Sequence, residues 1–236
     1  MKYWFLIILS FNTFAFDQTY KKWDKFLQNY TLKKGKQTLV KYSEIKEDEL
    51  KELLSEFESI TKEEFASFSE NEKLAFWINA YNAYTIQLIK KNYPVKSIKD
   101  LGSLFSSPWS KEFIPIMGKT MSLDNIEHDT IRKNYKEPRI HFAVNCASLG
   151  CPSLYQRAFT GAKLEKQLSE VEDHFLNNKE KNLMKGNILY LSKIFDWYGD
   201  DFEKFGGPKQ YFERKFEFKV SDIEFLDYDW KLNDAK

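Results

Sequence analysis

Both cysteines of the chain and one of its three histidines fall within twelve residues, His141 to Pro152, reading H-F-A-V-N-C-A-S-L-G-C-P. A thiol becomes a nucleophile when a neighbouring imidazole lowers its pKa and a third group orients that imidazole. Cys146, with His141 or His128 as base, is the candidate catalytic set. The same two thiols are five positions apart and could instead close a disulfide, Cys146–Cys151. With His128 and His141 they also number four, the count for a closed tetrahedral zinc site. The spacing H-x12-H-x4-C-x4-C, however, departs from the usual C-x2–4-C of structural sites. Glu127 neighbours His128 in sequence, but adjacent residues diverge around a helix, which weakens it as an orienting partner for that ring.

The elements that must position these groups can be read from periodicity. The apolar run from Ile140 to Asn145, after Pro138, is expected to be a buried strand, with Gly150 and Pro152 marking a tight turn beyond it. Along a strand His141 and Cys146 face opposite sides, because positions five apart alternate. They meet only if the strand breaks at Asn145, which makes His128 a rival for the base. Asp124 starts a helix carrying Glu127, His128 and Arg132.

Ser69 and Glu72 form an S-x-x-E capping box before a long helix that runs to about Lys91 and is ended by Pro94. That helix is apolar almost all round, so it is expected to be central and buried. Asn79 and Asn82 share one of its faces. Buried amides need partners, so these two either bind backbone groups or line a site, and the first role is the more common. Other helices are expected at 18–30, 50–57 and 164–175, and after Gly206-Gly207-Pro208. Residues 113–117 and 119–123 read as a hairpin about Gly118, and 188–191 and 223–230 as strands. Without regular strand–helix alternation this is an α+β pattern: one helix-rich domain over residues 16–236 with a small, mostly antiparallel sheet. Papain-like and transglutaminase-like thiol folds are a loose analogy for it.

The N-terminus reads as a secretory signal. Lys2 precedes an apolar core from Tyr3 to Phe11, and Thr13-Phe14-Ala15 fits a small-residue cleavage site, so residues 1–15 are expected to be removed. The run is well short of the roughly 20 apolar residues that span a bilayer, and no transmembrane segment is expected after cleavage. The product is expected in the periplasm or outside the cell. In such an oxidising compartment a Cys146–Cys151 bridge is the baseline that a catalytic claim must beat. Lys plus Arg, 36, nearly equals Asp plus Glu, 35, so charge offers no argument for nucleic acid or anionic membranes as partners. Walker-type loops, dinucleotide fingerprints, G-x-S-x-G and H-E-x-x-H are all missing from the sequence, and no cofactor is expected. Tyr190, Trp197, Tyr198 and Phe202 could line a groove, and Asp196, Asp200 and Asp201 could supply acids. Aromatic stripes are more often core, and acidic clusters more often solvated.

Several blocks in order resemble one family. They are A-F-W-I-N-A-Y-N-A-Y-T-I at 75–86, S-L-D-N-I-E-H at 122–128 and P-R-I-H-F-A-V-N-C-A-S-L-G-C-P at 138–152. L-S-K-I-F-D-W-Y-G-D-D-F at 191–202 and Y-D-W-K-L-N at 228–233 follow. The chain resembles the domain of unknown function family numbered 547, found in bacterial exported proteins and in plants. The resemblance implies a shared fold and points to Trp77, Asn79, Asn82, Glu127, His128, Arg139, His141, Cys146, Cys151, Pro152, Trp197 and Tyr198. It implies no particular reaction, substrate or cofactor. Asn145 before the first cysteine, and Cys-Pro-Ser in place of the more usual Cys-Pro-Pro, are departures that leave these side chains in place.

The functional expectation is a thiol-dependent hydrolase or acyltransferase acting on peptide or cell-envelope material. Cys146, His141 and His128 would be catalytic, with Asn79, Asn82, Glu127 and Arg139 as binding and supporting residues. The alternatives are a non-enzymatic binding or scaffold domain with a structural disulfide, and a Cys/His zinc site.

Overall fold

Ser69 opens the central helix as a reciprocal cap. Its hydroxyl accepts the Glu72 N–H at 3.4 Å, and the Glu72 carboxylate accepts the Ser69 N–H at 2.7 Å. In the computed structural model, which describes residues 16–103 and 105–236, this helix, α4, runs Glu70–Asn92. Residues on every side of it are buried, from Leu74 to Ile86 without a break. Such a helix must be surrounded. Around it pack α2 (Glu47–Ser59), α6 (Leu164–Leu176) and a π-helical segment, Asn125–Arg132. The expected signal segment, residues 1–15, lies outside the described residues.

The remaining elements are short, among them α3 (Lys62–Ala66) just ahead of the central helix. Helix α1 (Lys21–Tyr30) leads into hairpin β1 (Thr31–Lys34) and β2 (Gln37–Val40), paired Thr31 to Val40. The expected hairpin about Gly118 forms as β3 (Ile114–Ile116) and β4 (Lys119–Met121). A three-stranded sheet joins β5 (Leu183–Lys185) antiparallel to β6 (Ile188–Leu191), and β6 parallel to β7 (Asp222–Phe225). Helix α7 (Ile194–Trp197), a 3-10 segment (Gly199–Phe205) and α8 (Gly207–Phe216) lie between β6 and β7. The buried apolar residues form one continuous core from Tyr20 to Leu232, so the fold is a single α+β domain. The strands make three small, separate sheets among the described residues rather than one, with a parallel pair in the third.

Two expected strands are corrected. Residues 140–143 form a one-turn helix, α5 (Ile140–Ala143), in place of the strand Ile140–Asn145. A short apolar run does not distinguish a buried strand from a buried helix turn. Here the N–H groups of Ile140, His141 and Phe142 find carbonyls of Glu137, Pro138 and Arg139 three residues back. The alternation that set His141 and Cys146 on opposite faces therefore does not apply. Likewise β7 ends at Phe225 instead of continuing to Trp230. Beyond it the chain leaves the sheet, and Leu232 makes a single bridge to Ser148.

Candidate functional site

Asn82, deep in α4, fixes the chain ahead of the cysteines. Its Nδ2 donates to the Ala143 carbonyl at 3.0 Å, and its Oδ1 accepts the Asn145 N–H at 2.8 Å. Asn145 continues the clamp, donating to the Pro152 carbonyl at 2.7 Å and accepting the Ala147 N–H at 2.9 Å. One buried amide thus holds the entry to the cysteine loop, and the next ties that entry to its exit. Asn79 does similar work elsewhere. It accepts from the Trp23 indole N–H and the Phe159 N–H and donates to the Phe159 carbonyl, so it joins α1 and α4 to the chain before α6.

Between these clamps Cys146 and Cys151 are bonded to each other, S–S 2.10 Å. The Cys146 N–H points at the Cys151 sulfur, 2.8 Å away. The Tyr228 phenol lies 3.2 Å from both sulfurs and 3.2 Å from the Ser148 hydroxyl. Burial pushes that phenol well above its ordinary pKa, so it remains a neutral donor. Gly150 permits this arrangement, because a Cβ there would lie 2.7 Å from the Tyr228 ring. Lys181 caps the loop from the other side through the Leu149 carbonyl. Its burial brings the ammonium down to about 8.

His141 is almost wholly buried and stacks on Tyr198 at 4.0 Å between ring centroids. Its Nε2 is 2.6 Å from Asp201, whose other contacts are the Nε and Nη2 of Arg132 at 2.6 and 3.1 Å. Burial alone would raise the Asp201 carboxyl, but His141 and Arg132 hold it well below the usual carboxylate range. Arg132 also donates to Nδ1 of His128 at 3.2 Å. The two histidines are therefore linked through Arg132 and Asp201. Nδ1 of His141 has no partner among the described residues. Neither histidine hydrogen-bonds to a sulfur.

Both cysteines and both of these histidines line a cleft of about 270 Å³. Asp124, Glu127, His128 and His141 lie on its lining with both cysteines, and Trp109, Trp197, Tyr198, Tyr228 and Trp230 supply most of its aromatic surface. Trp197, Tyr228 and Trp230 form a corner with centroids 4.6–5.6 Å apart. Glu127 is 6 % exposed and stands beside the phenols of Tyr81 and Tyr198. Burial raises both phenols, and the Glu127 charge raises them further. Arg139 is not on the lining, since it pairs with Glu137 and Glu165 and reaches Ser169.

Residues 65–176 match the family model described as "Protein of unknown function, DUF547". Over that stretch the chain resembles DUF547. A search of curated proteins finds no match, and a search of solved structures finds none. The papain and transglutaminase analogy therefore has no support. The DUF547 segment carries α4, the π-helical segment, α5 and the disulfide loop. Asp201, Tyr228 and Trp230 lie beyond its end.

The zinc set is not assembled. With both sulfurs in the bridge neither is a thiolate ligand, and among the described residues no group of three or more His, Cys, Asp or Glu could hold a metal ion. Sequence reasoning missed Tyr81, Trp109, Tyr228 and Trp230 as cleft residues. It placed Asp201 in a solvated acidic cluster, whereas Asp201 is the partner of His141, 60 positions away. The one cue was the aspartate's place in the D-W-Y-G-D-D-F block.

Proposed function

We propose that this chain is an exported binding domain whose aromatic cleft holds a small ligand and whose Cys146–Cys151 bridge fixes the cleft floor. The observation that carries the reading is the state of the two sulfurs. They are bonded to each other, with Tyr228 and Ser148 rather than a histidine as their side-chain neighbours. A cleft with rigid rings, a few polar groups and little free conformational play is what small-molecule binding requires.

One observation favours a second reading, the thiol-dependent hydrolase or acyltransferase. His141 is held by Asp201, and Cys146 lines the same cleft. A dithiol reductant donating two electrons would free Cys146, and a histidine–carboxylate pair is a suitable base for a thiol. Peptide or cell-envelope acyl groups are then the substrates.

Thiol labelling of natively exported protein separates the two. The binding reading expects no labelled thiol before reduction, and quenching of cleft tryptophan fluorescence by ligand in the oxidised protein. One reactive thiol in the untreated protein, with acyl transfer lost in Cys146→Ser, would establish the enzyme instead.

A further inference from the structure

Apart from His128 and His141, the charge of the cleft lining is acidic. Asp124 and Glu127 line it, and no lysine or arginine does among the described residues. Glu127 is 6 % exposed; its partners are the Tyr81 and Tyr198 phenols, and it makes no salt bridge among those residues. An ionised carboxylate withdrawn from water is costly unless a positive group compensates it. Arg132 senses the Glu127 charge, but it and Lys99 are engaged elsewhere. Arg132 is bound by Asp201 and lies over the Tyr198 ring at 5.0 Å, while Lys99 lies over Trp230 at 4.8 Å. Both rings thus already present their π-faces to a cation.

Six rings border the same space: Tyr81, Trp109, Trp197, Tyr198, Tyr228 and Trp230. Aromatic faces around a buried carboxylate suit an alkylammonium group, which the rings attract through their quadrupoles and the carboxylate through its charge. A neutral sugar could stack on the same rings but would gain nothing from the Glu127 charge.

On the binding-domain reading, we infer that the ligand is a small organic cation, an alkyl- or quaternary-ammonium compound whose charged head sits among the rings against Glu127. The upward push that Glu127 exerts on the Tyr81, Tyr198 and Tyr228 phenols is consistent with an electronegative interior.

The test is a tryptophan-fluorescence titration of the oxidised, full chain at constant ionic strength. The probes are choline and its uncharged isostere 3,3-dimethyl-1-butanol. Choline is expected to bind at least tenfold more tightly, and Glu127→Gln to remove most of that advantage while leaving the alcohol unchanged. Trp197→Ala, at a ring that is 43 % exposed and so tolerant of truncation, is expected to weaken both probes at least threefold. It keeps the test decisive if Glu127→Gln fails to fold. Equal binding of the two probes, or a response to N-acetylglucosamine with none to choline, overturns the cation assignment and leaves the binding domain standing. Silence towards every probe, together with a reactive thiol, overturns both.

Discussion

The Asn82 amide accepts the Asn145 backbone N–H at 2.8 Å, one residue before the disulfide begins. A side chain in the middle of the central helix therefore determines where the cysteine loop starts. Asn82→Ala leaves the Asn145 N–H and the Ala143 carbonyl without partners in a buried place. Loss of about 2–3 kcal/mol is expected, since each orphaned group costs on the order of 1 kcal/mol or more. Urea unfolding of the oxidised protein measures it, and a change below about 0.5 kcal/mol would mean that Asn82 does not hold the loop.

Asp201 makes part of the stability acid-sensitive. Its folded-state pKa is depressed by His141 and Arg132. The stabilisation is therefore complete above the ordinary aspartate value near 4 and is lost as pH falls below it. Asp201→Asn is expected to cost roughly 1–3 kcal/mol at pH 7, between exposed and buried ion-pair values. The gap from wild type should close towards pH 2, which parallel chemical-denaturation curves at several pH values will reveal.

Lys181 acts in the same direction but in an alkaline window. Its ammonium is brought down to about 8 by burial, below the ordinary lysine value near 10.4. The unfolded chain thus binds more protons between these values, and stability rises with pH across them. Buried tyrosines act against this above about pH 10. The informative quantity is the slope of wild type minus that of Lys181→Met from pH 7.5 to 9.5. It is expected to be positive, and a flat difference would mean that Lys181 stays charged throughout.

Removing the bridge should soften the protein locally. A six-residue loop gives a chain-entropy contribution of about 2 kcal/mol. Cys146→Ser with Cys151→Ser is expected to lower stability by that amount with far-UV dichroism unchanged. A cost above about 5 kcal/mol would assign the bridge a role in the whole core.

Gly150→Ala tests the contact between the loop and Tyr228. The new Cβ would meet the ring at 2.7 Å, and the ring is backed by Trp197 and Trp230. Overpacking of this kind typically costs about 1–3 kcal/mol. Tyr228 should shift off the sulfurs, and the emission of the neighbouring tryptophans should change with it. Unaltered emission and melting temperature would count against the packing described.

Where the determining interactions are local, the sequence was readable. The Ser69–Glu72 cap, the buried central helix, the Gly118 hairpin and the paired cysteines all depend on residues within a few positions of one another. What eluded it was tertiary. Residues 140–143 had apolar character that fits two local structures, and only the available carbonyl partners made them helical. Asp201 looked solvated because nothing near it in the chain reveals His141 and Arg132. Tyr228 and Trp230 read as strand residues because the apolar and aromatic run continues beyond Phe225, yet the chain turns away and places both rings on the cleft. The cysteines, the histidines and two rings of the wall, Trp197 and Tyr198, were thus legible, and the rest of the wall was not.

The unequal exposure of the two cysteines gives the disulfide a direction. Exchange begins when an incoming thiolate attacks one sulfur and expels the other. Cys151 is 3 % exposed and covered, whereas Cys146 is only half-buried. A thiol arriving from solvent therefore forms its mixed disulfide at Cys146, and Cys151 is the leaving sulfur. It departs into the protein interior, beside Tyr228 and the Cys146 N–H, and remains within reach to expel the visitor and restore the bond. An incoming thiol thus meets the bridge at Cys146 more readily than at Cys151, and the displaced sulfur stays close enough to re-form it.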